Sequence, residues 1–227
     1  MKRMVLCLIG MLALGSLSLP LSAQQAHPPF WNNIQHFKEQ DRVQPPPSGA
    51  ILFIGSSSFT KWTDVQQYFP GYKIINRGFG GSTLVDAIRY ANDIIFPYHP
   101  KQIVIYEGDN DAVGKGVTAD SIFNRFERLF TLIRTQLPRT PVVYVSIKPS
   151  PSREKYMPVM DFANWKIRTF LAHQSHASFV DVYHLMLDDQ GLPRKEIFLN
   201  DMLHMKPAGY QIWQKAIGPY LTKKAKK

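Results

Sequence analysis

The chain has 227 residues, 44% hydrophobic and 19% charged, which excludes a disordered polypeptide and suits one domain with its own core. Its formal charge is +10, but the basic residues do not interleave with aromatics in a patch, so nucleic acid is not an expected partner. Cys7 is the only cysteine, which excludes a disulfide framework.

Lys2 and Arg3 precede an apolar run from Met4 to Leu21, closed by the small residues Ser22 and Ala23. This order of charge, apolar stretch and small-residue site is that of a secretory signal peptide over residues 1–23, cut after Ala23. An uncleaved anchor is the alternative reading, because the run approaches the span of a bilayer. Cleavage removes the cysteine, leaving a mature chain held by packing alone. The expected location is the periplasm or the exterior of a bacterial cell, with no stable membrane insertion after cleavage.

Residues 24–49 form an N-terminal extension with one helix, signalled by Phe30, Trp31, Ile34 and Phe37 at spacings of three and four. Pro45-Pro46-Pro47-Ser48-Gly49 then leads into the main domain, residues 50–222. There Ala50 to Ile54 runs straight into Gly55 and three serines, the pattern of a buried strand in a parallel sheet. A helix is expected over 59–68, a strand over 72–76, and a glycine-rich turn at Arg77-Gly78-Phe79-Gly80-Gly81-Ser82. Next come a helix over 83–95 and a strand over 102–106 that enters Glu107-Gly108-Asp109-Asn110-Asp111. A helix over 120–137 carries the stripe Ile122, Phe126, Leu129, Phe130 and Ile133. A strand over 141–147, a proline- and serine-rich loop, a helix over 159–173 and a strand over 179–182 follow. A last helix over 206–221 opens at Pro207. The tail, residues 223–227, is basic and reads as a solvated end. Strands alternating with helices predict an α/β fold, a three-layer α/β/α sandwich on a mostly parallel five-stranded sheet.

Parallel sheets gather chemistry just beyond the carboxyl ends of their strands. Gly-Ser-Ser-Ser alone reads as a turn with a helix cap. Three further segments change that reading: Gly80-Gly81, Asp109-Asn110-Asp111 and Asp201-Met202-Leu203-His204. Acyl transfer needs a hydroxyl nucleophile, an imidazole base and a carboxylate that fixes the base's tautomer. His204 and Asp201 supply the last two, and a glycine N–H with an asparagine amide suits a developing oxyanion.

Together these segments resemble the four sequence blocks of the SGNH (GDSL-type) hydrolase superfamily, near the branch of platelet-activating-factor acetylhydrolases and exported bacterial esterases. The resemblance spans Gly55 to His204 and implies a flavodoxin-like sandwich. It implies Ser57 as nucleophile, His204 as base and Asp201 as its orienting acid. The Ser57 N–H, the Gly81 N–H and the Asn110 side chain are the implied oxyanion hole. Ser56 stands where the family has Asp, so hydrogen bonding around this turn is expected to differ. Ser58 is expected to cap or support the following helix, and Asp111 to accept backbone N–H groups. Asp109 is a candidate to meet substrate hydroxyls in the cleft, and Arg153 a candidate for an acidic substrate group at the rim. His173, His176, Asp181 and His184 lie near one another in sequence, but a surface role fits them better than a metal site; no metal and no cofactor are expected.

The resulting expectation is a serine esterase acting on short acyl esters, acetyl foremost, of a small molecule or glycan. The absence of a long apolar stretch that could form a lid favours short chains over a lysophospholipase-type activity. A glycan-binding protein that has kept only the fold is the alternative from another class. Neither the oligomeric state nor the choice between water and a sugar hydroxyl as acceptor is encoded in these motifs.

Overall fold

The computed structural model describes residues 27–223, so the expected signal peptide and residues 224–227 of the tail lie outside the described residues. Helix α1, Trp31–Val43, lies across one face of the domain, burying Ile34 and packing Phe30 and Phe37 beside it. Strand β1, Ile51–Gly55, is buried along its whole length. Side chains alternate across a strand, so Leu52 and Ile54 enter one core while Ile51 and Phe53 enter the other.

The helix expected over 59–68 is two short ones, α2 at Ser57–Thr60 and α3 at Val65–Tyr68. At the break Asn76 Nδ2 donates to the carbonyl oxygens of Phe59 and Trp62, at 2.7 and 3.4 Å, beside the tighter turn bonds these carbonyls accept from the Trp62 and Val65 N–H groups. Strand β2, Ile74–Gly78, begins two residues later than expected. The helix expected over 83–95 is likewise divided at Tyr90 into α4, Leu84–Arg89, and α5, Ala91–Ile94. Strand β3, Gln102–Tyr106, matches its apolar run. It leads into a one-turn helix α6, Asp109–Ala112, hidden from periodicity by its shortness.

Helix α7, Ala119–Gln136, buries the stripe read from the sequence. Strand β4, Val142–Val145, helix α8, Met157–Ala172, and strand β5, Ala177–Val180, follow. Helix α9, Pro207–Ile217, is shorter than expected, and a single turn of 3₁₀ helix at Gly218–Tyr220 follows it. Pro219 in that turn cannot donate to an α-helical ladder.

The strand order is β2-β1-β3-β4-β5 and every pairing is parallel, so the sheet is wholly rather than mostly parallel. Helices α1, α4, α5, α7 and α8 cover one face, and α2, α3 and α9 the other. Trp62 and Trp213 are both fully buried on the second face, where each contributes roughly 1.5–3 kcal/mol or more by area. The chain leaves β1 toward β2 on one side and returns to β3 on the other. This reversal makes the ends of β1 and β3 the switch point of the sheet, the place where such sheets hold ligands. Gly55 closes β1 there: a Cβ on it would meet the Tyr106 carbonyl oxygen at 2.2 Å.

Candidate active site

Beyond β1 the three serines part company. Ser56 and Ser58 are buried, at 1% and 2% exposure, whereas Ser57 is only partly covered. Ser58 sits inside α2 and makes no cap; the N-cap position belongs to Ser56, whose hydroxyl is buried without a partner. Ser58, expected to cap or to support the helix, therefore does not make the cap. Its carbonyl instead accepts from Tyr210 Oη at 2.9 Å, which ties α2 to α9. Solvent access alone thus separates the nucleophile candidate from its neighbours.

Asp201 and His204 form a tight turn. Asp201 Oδ1 accepts the backbone N–H groups of Leu203 and His204, and Oδ2 pairs with His204 Nδ1 at 2.6 Å. Met202 is held at φ 54°, a left-handed conformation that costs a non-glycine residue about 1 kcal/mol. The hydrogen bond to the His204 side chain, then those from the backbone, hold the Asp201 carboxyl well below the usual carboxylate range. Asp201 is therefore a fixed negative charge that leaves Nε2 of His204 free to accept a proton. Among the described residues no hydrogen bond links Ser57 Oγ to His204, an arrangement common before substrate tightens a site.

A similar Asp–His pairing occurs a second time. Asp181 accepts from the His184 backbone at 3.2 Å and pairs with His184 Nδ1 at 2.8 Å. The dyad geometry is thus a local property of Asp and His three residues apart, and only tertiary position distinguishes the two. Asp181 and His184 border a cleft of about 630 Å³ with Phe162, Trp165 and Phe179, none of which carries a nucleophile. Among the described residues, no group of three or more His, Cys, Asp or Glu side chains is arranged to hold a metal ion.

The glycine-rich turn after β2 approaches Ser57 directly. A Cβ on Gly80 would lie 3.7 Å from Ser57 Cβ, and the next residue, Gly81, is exposed at φ +88°. Asn110, in α6, donates from Nδ2 to the Ser82 carbonyl at 2.8 Å. The second hydrogen on Nδ2 has no acceptor among the described residues, and it lies beside the turn that touches Ser57. Asp111 accepts the Leu84 N–H at 3.0 Å and Arg125 Nη1 at 2.8 Å, the backbone-acceptor role expected of it.

Asp109 and Arg153 are placed differently from expectation. Asp109 is 3% exposed and does not present its carboxylate to a cleft. Oδ1 takes Arg153 Nη1 at 2.5 Å, while Oδ2 takes Lys148 Nζ at 3.2 Å and Tyr106 Oη at 3.0 Å. Burial would raise its pKa, but Lys148 and Arg153 together bring it below the usual range. Arg153 is in turn spent on Asp109 and on Asn110 Oδ1, so it is no free hook for an acidic substrate. Neither Lys148 nor Glu107 is foreseen as a site residue from sequence. A lysine set between Ile147 and Pro149 at the end of a buried strand is the signal available for the first.

Glu107 is fully buried, with Oε1 accepting from Ser82 Oγ at 2.6 Å and Oε2 without a partner. Burial pushes its carboxyl well above the ordinary value of 4.5, opposed by the Ser82 hydroxyl and reinforced by nearby Asp111. The folded protein therefore keeps a proton that the unfolded chain releases above that value. The resulting stability is complete in acid and is lost as pH rises toward the raised pKa. The stability of Glu107→Gln should climb relative to wild type as pH increases above 4.5, by at most about 1.4 kcal/mol of unfolding free energy per pH unit, and its unfolding midpoint with it. Thermal melts between about pH 4 and 8 test this; parallel curves would mean that Glu107 ionises normally.

Residues 52–212 match the family model described as GDSL-like Lipase/Acylhydrolase. No curated protein matches the chain. Among solved structures, a Streptococcus pneumonia protein provisionally described as a platelet activating factor is 24% identical with a TM-score of 0.72, over 84% of this chain and 92% of that one. A GDSL-like lipase from Bacteroides thetaiotaomicron is 20% identical with a TM-score of 0.70, over 83% and 96%. A catalytic mutant of Axe2, an acetylxylan esterase from Geobacillus stearothermophilus, is 16% identical with a TM-score of 0.60, over 75% and 93%.

Proposed function

The chain belongs to the GDSL-like lipase/acylhydrolase family, and from that premise we propose that it is a metal-independent serine esterase removing short acyl groups, acetyl foremost, from carbohydrates. The observation that carries this reading is that Ser57, alone of three consecutive serines, reaches solvent at the sheet's switch point. In this reading His204 Nε2 takes the Ser57 proton as Oγ attacks the ester carbonyl. The Ser57 and Gly81 N–H groups and Asn110 Nδ2 hold the oxyanion. The tetrahedral species collapses as His204 returns the proton to the departing sugar oxygen. Water, deprotonated by His204, then attacks the acyl-enzyme, and the carboxylic acid leaves with Ser57 restored.

Export, as expected from residues 1–23, supports an extracytoplasmic polymer as substrate. The openness of the site supports a bulky leaving group: Gly80 and Gly81 are exposed, and the Asp201 side chain is 48% exposed. The acetylxylan esterase of like fold acts on a substrate of this class. Hydrolysis of p-nitrophenyl esters of increasing chain length, followed by acetylated xylo-oligosaccharides, tests the proposal. Turnover should fall beyond short chains; a preference for long chains would overturn the glycan reading in favour of lipid. Asn110→Ala is expected to lower kcat about 10²–10³-fold, the usual effect of losing one side-chain donor to an oxyanion. Unchanged turnover would remove Asn110 from the oxyanion hole.

A further inference from the structure

The Asn110 amide is gripped at both ends. Arg153 Nη2 donates to Oδ1 at 2.9 Å, and Nδ2 donates to the Ser82 carbonyl at 2.8 Å. A guanidinium only donates and a carbonyl only accepts. Each partner therefore dictates the same orientation of the amide, with its N–H₂ toward the Gly81–Ser82 turn. A flipped amide would set N–H₂ against the guanidinium and oxygen against oxygen, losing both bonds at once.

Arg153 is itself held in place. Nη1 donates to the Asp109 carbonyl at 2.8 Å and to Oδ1 at 2.5 Å. Asp109 is anchored in turn by Lys148 and Tyr106, and the Lys148 and Asp109 side chains are only 1% and 5% exposed. The neighbouring residue reaches the other half of the site: the Ser152 N–H donates to the Met202 carbonyl at 3.0 Å, inside the turn that carries His204. One short segment thus joins the amide to the base turn.

We propose that Arg153, fixed by the buried Asp109–Lys148 pair, is a positioning residue for acyl transfer that locks the Asn110 amide in its donating orientation. The role rests on the reading of Asn110 as an oxyanion donor, and it replaces that of a substrate hook at the rim. Removing Arg153 leaves only the Ser82 carbonyl to hold the amide, so its donating orientation is less well fixed and the cost falls on the transition state and not on substrate binding. A lysine keeps the charge but lacks the fork that meets Asp109 and Asn110 together.

The test measures p-nitrophenyl acetate turnover for Arg153→Met and Arg153→Lys, each alone and combined with Asn110→Ala. Arg153→Met should lower kcat by roughly 10- to 100-fold, the effect of one charge-assisted hydrogen bond, with KM nearly unchanged. In the Asn110→Ala background it should cost almost nothing further, because the group it positions is gone. An undiminished kcat, an equal loss in both backgrounds, or a raised KM at constant kcat would each overturn the proposal. If the methionine variant fails to fold, Arg153→Lys carries the same comparison. The Asn110 side-chain amide signals in a ¹H–¹⁵N spectrum, assigned by their loss in Asn110→Asp, give a readout independent of activity. They should move or broaden in either Arg153 variant, and unchanged signals would refute the lock. A wild-type protein without esterase activity would sink the proposed function, while this spectrum would still decide the role of Arg153.

Discussion

Ser57→Ala is expected to lower kcat by roughly 10⁶-fold, as loss of the nucleophile does in other serine triads. The nucleophile and base act as one unit, so adding His204→Ala to Ser57→Ala should cost little more. Ser56→Ala and Ser58→Ala are the informative controls, because all three hydroxyls share one sequence neighbourhood. Ser56 and Ser58 are buried, and the bond from Tyr210 to Ser58 uses only the Ser58 backbone carbonyl. Both controls should retain turnover within about tenfold, since neither removes a group that touches substrate. The measurement is release of p-nitrophenolate from the acetate ester, with mass spectrometry of the protein after reaction with a fluorophosphonate. Labelling that persists in Ser57→Ala, or vanishes in Ser58→Ala, would move the nucleophile one residue along the chain.

Asp201→Asn should cost about 10⁴-fold in kcat, with KM far less affected. The carboxylate accepts from His204 Nδ1 at 2.6 Å and so keeps Nε2 as the proton acceptor. An asparagine could present its N–H₂ to Nδ1 instead, stabilising the tautomer whose Nε2 already bears a proton. Because the Asp201 carboxyl is held so low, its protonation does not limit activity in mildly acidic solution. The control for this variant is Asp181→Asn, which breaks a dyad of nearly the same local geometry at His184. It should leave kcat within about twofold of wild type, since that pair borders a different cleft. A large loss in the Asp181 variant and none in the Asp201 variant would exchange their roles.

The contrast between these dyads marks where sequence reading stops. Asp-x-x-His occurs twice, and in each copy the carboxylate pairs with Nδ1 of its own histidine and accepts its backbone N–H. Their chemical difference lies in what the rest of the fold brings opposite each one. The serines pose the same problem at shorter range. Ser57 is singled out by family resemblance, and Ser58 is expected to cap or support the helix, yet the burial that separates them appears only in the folded chain. Asp109 and Arg153 were expected at solvent-facing positions because charged loop residues usually are exposed. Asp109 is buried with Lys148, which lies 39 residues away and meets it only when β3 and β4 pair, and Arg153 is drawn in by its bonds to Asp109 and Asn110. No local pattern encodes such a contact.

What the sequence determined by itself was whatever short-range periodicity dictates. The apolar run of β1 ending in Gly55, the stripe of α7 and the alternation of strands with helices specify a layered α/β fold, because each element must bury one face. The four motifs specify which residue types stand beyond which strand ends. Tertiary structure alone decided the helix breaks at α2–α3 and α4–α5, where side chains such as Asn76 satisfy carbonyls that a longer helix would have used. It also decided which serine is accessible and which Asp–His pair borders the cleft with Phe162, Trp165 and Phe179. The orientation of the Asn110 amide was decided there too, by an arginine 43 residues away. The physical reason is common to all of these. Burial and hydrogen-bond partnership between distant residues exist only after the sheet has paired, whereas secondary structure draws on neighbours already joined along the chain.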